Sequence, residues 1–309
     1  MQFEQMHELK ETGFKATFFR GGVEVGTILC AESMDAMRSV KDLDVIYIDP
    51  PFFTNRHLSV NGMSYPDLWE SIDDYISWLM PRLELSRSIL KDTGLLFVHL
   101  DWHAVHYVKV ALDSIFGYSN FINEIIWHYR TGGTSSRHFS RKHDNILLYS
   151  KTSNYRFFEI YEKSYIKYRY GFSNTRIFRD EKGFYTCVKC RDVWDIPALR
   201  GNHPESLGFP TQKPVGLAER IISSSTIPGD IVGDFFCGSG TIAYAAAKSG
   251  RRWFAFDISP VACRLAIERI APLCDSYTIE SIDGRVLQSK YQCSNRARNG
   301  AHYDEGKKG

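Results

Sequence analysis

Cysteine is sparse in this chain: seven in 309 residues, at 30, 187, 190, 237, 263, 274 and 293. Their spacing matches no disulfide framework, which excludes a stapled secreted scaffold and fits a reducing compartment. No run approaches the ~20 uninterrupted apolar residues of a membrane span. The start Met1-Gln2-Phe3-Glu4-Gln5 has no apolar targeting segment, so a cytoplasmic protein is expected. Metal ligands are few. Cys187-Val188-Lys189-Cys190 is half of a zinc ribbon, with His203 as the nearby extra ligand candidate, and reads better as a tight turn. His99, His103 and His106 straddle a strand end and a helix start and read as core or hydrogen-bonded histidines. No metal is expected. Charge of one sign is also lacking, the net being +2, and there is no internal repeat.

What the chain does contain is Asp49-Pro50-Pro51-Phe52, at the end of the apolar run Val45-Ile46-Tyr47-Ile48. A β-branched apolar run bounded by proline reads as a buried strand of an α/β sheet, and ligands sit beyond the carboxyl ends of such strands. Two prolines fix two φ angles and remove two N–H donors. The resulting stiff turn offers a carboxylate, a bare carbonyl and an aromatic ring. That set suits a flat heterocycle with an exocyclic NH₂: two acceptors for two hydrogens, and a face to stack on.

Far downstream, Asp230-Ile231-Val232-Gly233 leads into Asp234-Phe235-Phe236-Cys237-Gly238-Ser239-Gly240-Thr241 and then the small-residue helix Ile242–Ala247. The glycines permit φ > 0 and close approach of a ligand to the backbone. A further strand, Arg252–Phe256, ends at Asp257, placed to accept both hydroxyls of a ribose. Gly238-x-Gly240-x-x-Ala243 also fits the loose dinucleotide fingerprint. Asp234 argues against it, because a carboxylate before the turn repels a pyrophosphate and attracts an ammonium. S-adenosylmethionine (SAM) has an ammonium, a ribose and no phosphate, and is the expected cofactor.

In this order the two motifs resemble the β class of DNA amino-methyltransferases, which act on adenine N6 or cytosine N4. Phe209-Pro210-Thr211-Gln212-Lys213-Pro214 adds to the likeness, as do Phe97–Trp102 and Lys142–Lys151. Phe235, Cys237 and Phe52 stand where the family commonly has Pro, Ala and Tyr. The resemblance implies an α/β fold: a seven-stranded Rossmann-like methyltransferase sheet with permuted motif order and a target-recognition insertion. It implies Asp49, Pro50, Pro51 and Phe52 as catalytic, and Asp234, Phe236, Gly238, Ser239, Gly240, Thr241 and Asp257 around the cofactor, flanked by Thr211 and Lys213. Asp at position 49 favours adenine N6, with cytosine N4 as the alternative. The implied partner is double-stranded DNA in the nucleoid of a prokaryote. A homodimer and a cognate restriction endonuclease are compatible with the resemblance without being required by it.

Charge distribution supports a nucleic-acid partner. Residues 127–200 hold 15 Lys and Arg against 7 Asp and Glu, a net +8, which leaves −6 elsewhere; 16 aromatic residues are interleaved with them. Arg137, Arg141, Lys142, Arg156, Lys167 and Arg169 are the candidate DNA contacts. The expected organisation is a catalytic half at 1–150, a recognition insertion at 151–205, a cofactor half at 206–288 and a disordered tail at 289–309. Strands are expected near 44–48, 95–100, 121–127 and 145–150, and helices over 73–90 and 104–115. Residues 1–28 carry no clear pattern.

Overall fold

Leu43–Ile48 is buried at every residue, as a strand must be when both faces of its sheet are covered. A computed structural model describes residues 13–60, 63–130, 132–166, 176–282 and 286–292. The first half contains β1 (Phe14–Arg20), β2 (Val23–Cys30), α1 (Ser33–Arg38), β3 (Leu43–Ile48), β4 (Arg56–Val60), β5 (Met63–Asp67), α2 (Ile72–Ile89), β6 (Leu90–Leu100), α3 (Val105–Phe116), β7 (Phe121–His128) and β8 (His143–Ser150). The second contains β9 (Tyr161–Ile166), β10 (Phe178–Asp180), β11 (Gly183–Lys189), β12 (Val193–Asp195), α4 (Val215–Ser225), β13 (Ile231–Asp234), α5 (Thr241–Lys248), β14 (Arg252–Asp257), α6 (Pro260–Ile270), β15 (Ser276–Ser281) and β16 (Val286–Gln292).

One sheet runs β12-β7-β8-β6-β3-β13-β14-β2-β1-β15-β16. Among the described residues, the sheet therefore has eleven strands where seven were expected. From β7 to β2 all strands are parallel except β8. β12 adds to β7 on one side, and the antiparallel meander β1-β15-β16 extends the other. Residues 14–30, without a pattern in the sequence, are a hairpin whose β2 lies beside β14. Its turn uses Gly21 and Gly22 at φ 59° and 77°, a backbone that glycine adopts without steric cost.

Alternation along the strands divides the core in two. Val45 and Tyr47 of β3 and Leu95 and Phe97 of β6 point into a layer with α4, α5 and α6. Ile46, Ile48, Leu96 and Val98 point into the opposite layer with α1, α2 and α3. Helices on both faces of a mainly parallel sheet are the doubly wound arrangement. Within the insertion, β9, β10 and β11 form a separate three-stranded sheet, while β12 is stitched into the main one. Residues 289–292 of the expected tail belong to β16, and 293–309 lie outside the described residues. Among the described residues, no helix is long and apolar enough to cross a membrane.

Candidate active site

Chain direction decides where the site lies. β13 leads through α5 to β14 on one side, and β3 leads through α2 to β6 on the other. A crevice therefore opens between β3 and β13, at the switch point where ligands bind in such sheets. The pairing of Asp234 with Tyr47 sets Asp49 and its prolines beside the start of the glycine turn. A cavity of about 630 Å³ occupies this place, within the size range of small-molecule sites. Every expected catalytic and cofactor residue lines it except Gly240. Gly240 instead starts α5 at φ 72°, and a Cβ there would lie 2.7 Å from the Cβ of Ala266 on α6. It is a packing glycine.

The loop after β3 is held under strain. Phe53 and Asn55 have φ of 60° and 52°, sterically poor for side-chain-bearing residues. Buried Asp67 holds the loop in place. Its carboxylate accepts the N–H of Phe53 at 3.0 Å, the N–H and hydroxyl of Thr54 at 2.6 and 2.5 Å, and the indole N–H of Trp69 at 2.9 Å. No sequence signal marked Asp67, because the loop residues it holds, Thr54 and Phe53, are 13 and 14 residues upstream.

Two carboxylates shape the cofactor side. Burial pushes the Asp257 carboxyl up to about 6, although it accepts N–H bonds from Gly238 at 2.9 Å and Ser259 at 2.8 Å. Burial, and then the charge of Asp49, push the Asp234 carboxyl well above the usual range. A cation beside Asp234 would relieve both effects. Gly238, at φ 49°, has Phe209 3.0 Å from where its Cβ would sit. The Ser239 hydroxyl is buried with no hydrogen-bond partner among the described residues. Together these groups can hold a ligand bearing a cation and a pair of hydroxyls.

Asp49 shows how the two halves are joined. Its Oδ2 receives the Lys213 ammonium at 2.5 Å, and that ammonium lies 5.1 Å from the centre of the Phe52 ring. Thr241 at the start of α5 donates to the Lys213 carbonyl at 3.1 Å. Asp49 Oδ1 is buried and has no hydrogen-bond partner among the described residues. His99, the core histidine expected from sequence, lies behind it with Nδ1 4.0 Å from Oδ1. His99 also meets the Tyr47 hydroxyl at 2.7 Å and Asp144 at 3.2 Å, and Tyr129 donates to Asp144 at 2.9 Å. Burial raises the Asp144 carboxyl, but His99, Lys213 and Tyr129 outweigh it and hold the group below the usual range. Glu32 is a further cavity residue that sequence reasoning missed. It receives Arg82 of α2 and caps α1 through the N–H of Met34.

Of the candidate DNA contacts, Arg137, Arg141 and Lys142 lie on the β7–β8 connection, at the same sheet edge as Asp49. Arg156 does not. It bonds Asp44 at 2.5 Å and Asp230 at 2.9 Å, at the opposite, amino-terminal ends of β3 and β13. Its charge is met there by two carboxylates, at the sheet edge away from Asp49. Lys167 and Arg169 lie outside the described residues. Cys187 is within the extended strand β11, correcting the expected tight turn. Cys190 donates weakly to Glu162 at 3.6 Å. Among the described residues, no cluster of three or more ligands could hold a metal ion.

Comparison with known proteins agrees with this geometry. The family model described as DNA methylase, of the N6/N4 type, matches residues 43–268. The chain is 26% identical over 294 residues to the DNA adenine methyltransferase YhdJ of Escherichia coli K12, covering 93% of this chain and 96% of that protein. It is 25% identical to the type II methyltransferase M.HpaI of Haemophilus parainfluenzae, covering 84% and 78%. Among solved structures, the cytosine-N4-specific PvuII DNA methyltransferase superposes with a TM-score of 0.60 at 16% identity, over 84% of this chain and 90% of that one. The M1.HpyAVI–SAM complex gives 0.53 at 18%, over 79% and 98%.

Proposed function

The chain belongs to the N6/N4 DNA methylase family, and on that premise we propose that it methylates the exocyclic N6 of adenine in double-stranded DNA. The observation that carries this reading is Asp49 on the cavity wall, whose buried Oδ1 has no hydrogen-bond partner among the described residues. Buried acceptors are nearly always bonded, so an orphan here is an acceptor kept for a substrate N–H.

The cofactor is SAM, which supplies a methyl group activated by a sulfonium. Asp234 receives its ammonium and Asp257 its ribose hydroxyls, while Gly238, Ser239, Thr241 and Phe236 line its bed and Thr211 and Lys213 flank it. The fit rests on Asp234, a buried carboxyl at the head of the glycine turn that, among the described residues, makes no ion pair.

An amine inside a duplex cannot reach this crevice, so the target base leaves the stack. Phe52 stacks on it, and Asp49 and the Pro50 carbonyl accept its two amino hydrogens. An aromatic amine is a weak nucleophile because its lone pair is shared with the ring. Two acceptors on its hydrogens favour the pyramidal nitrogen and aim the lone pair, so positioning is the main contribution. Asp49 takes the proton that becomes acidic as the nitrogen is alkylated. Adenine is favoured over cytosine by Asp at position 49 and by the name of a relative spanning nearly the whole chain.

DNA from a methylation-free host, treated with the protein and SAM and digested to nucleosides, should yield N6-methyldeoxyadenosine by mass detection. Appearance of N4-methyldeoxycytidine alone would replace adenine with cytosine.

A further inference from the structure

Phe139 is fully exposed, on a connection that is otherwise basic and polar. From Tyr129 to His143 the chain carries four Lys and Arg and no Asp or Glu. One of the four, Arg130, is answered by Asp195 at 3.3 Å.

The connection is braced from within. The Lys142 ammonium donates to the carbonyls of Gly132 and Gly133 at 2.8 and 3.0 Å, tying its two limbs together. The Arg141 guanidinium lies 3.8 Å over the ring of Trp102, just past the end of β6. β6 is the strand next to β3, so this contact fixes the connection to the edge that carries Asp49. A phenylalanine presented to water on a braced, positively charged support gains free energy where an apolar slot meets it. Duplex DNA has such a slot between base steps, and a gap of base-pair size where a nucleotide has left the stack.

We propose that Phe139 is a wedge that enters the base stack of duplex DNA and fills the space left by the extruded adenine. Arg137 and Arg141 hold the flanking phosphates. The proposal rests on the DNA-methylating reading above and adds a specific residue for the extrusion step. The charge of this connection favours a polyanion over a second copy of the chain as the occupant.

The test uses the full chain, tritiated SAM and sheared chromosomal DNA from a methylation-deficient host. Phe139→Ala should lower kcat at least tenfold while the KM for duplex stays within threefold. Phe139→Trp should restore at least half of the rate, because any large apolar ring can occupy the gap. Arg137→Ala should instead raise KM. Since Phe139 touches solvent alone, its Ala variant should keep the parental Tm. An unchanged kcat in Phe139→Ala, or no recovery in Phe139→Trp, would overturn the wedge while leaving the methyltransferase reading intact. A fall in the mass of the Phe139→Ala protein in solution with an unchanged kcat would assign the ring to a second copy. No methyl incorporation by the unsubstituted protein would remove both readings.

Discussion

Asp67 gathers donors from three residues around the Asp-Pro-Pro-Phe loop, so the strained φ of Phe53 persists because one carboxylate over-determines it. Asp67→Ala should therefore lower kcat by about tenfold or more with little change in SAM affinity, since a loop misplaced by an ångström loses its alignment; steady-state kinetics and calorimetry separate the two. Asp257 carries a pH consequence. Folded, its carboxyl titrates at about 6 against an ordinary 3.8, so the folded state binds that proton more tightly than the unfolded chain. Ionising it costs stability as pH rises from about 4 to 6, and the cost persists above. Removing the carboxyl in Asp257→Asn should abolish this pH-dependent loss and weaken SAM binding, so the Tm of the variant relative to the parent should rise between pH 3.5 and pH 8. At about 1.4 kcal/mol per pKa unit, that relative change is at most about 3 kcal/mol. Tm measured against pH for both proteins checks the sign.

Among the elements, α5 begins where the glycine turn ends, and Gly240 sets how closely it meets α6. Gly240→Ala would place a Cβ at φ 72° and 2.7 Å from Ala266. A loss of at least about 2 kcal/mol is expected from strain and overpacking, readable by urea denaturation. At the other end of β3 and β13, Arg156 joins Asp44 to Asp230. Asp44 also keeps Lys91 at 2.8 Å and the N–H of Ile231 at 2.9 Å. Removing Arg156 thus leaves that carboxylate partly satisfied, and Arg156→Ala should cost about 1–3 kcal/mol without altering the KM for DNA. A raised KM with unchanged stability would restore Arg156 to the DNA surface.

Across the whole molecule, Lys213 helps to bind one half to the other, its side chain reaching Asp49 just past β3 and its backbone carbonyl accepting the Thr241 hydroxyl of α5. The main elements of this fold were legible in the sequence because the chemistry lies in contiguous words. Asp-Pro-Pro-Phe after an apolar run and Gly-Ser-Gly before a small-residue helix are local patterns, and parallel strands bring their carboxyl ends together. Asp67, Glu32 with Arg82, and the pairing of Lys213 with Asp49 were not legible, since each depends on contacts across 13 to 164 residues. The pairing of Arg156 was not legible for the same reason: its acids, Asp44 and Asp230, are 112 and 74 residues away. The hairpin at 14–30 was missed because β1 has large side chains on both faces, Phe14, Phe18 and Phe19, and shows no clean alternation. The central claim is that β3 and β13 bring Asp49 to the wall of the donor cavity, to accept a substrate amine. Its most direct test is Asp49→Ala, followed by calorimetry with SAM and tritiated methyl transfer to duplex DNA. SAM should bind with the parental affinity within threefold while transfer falls at least a thousandfold. Transfer at the parental rate would contradict the account.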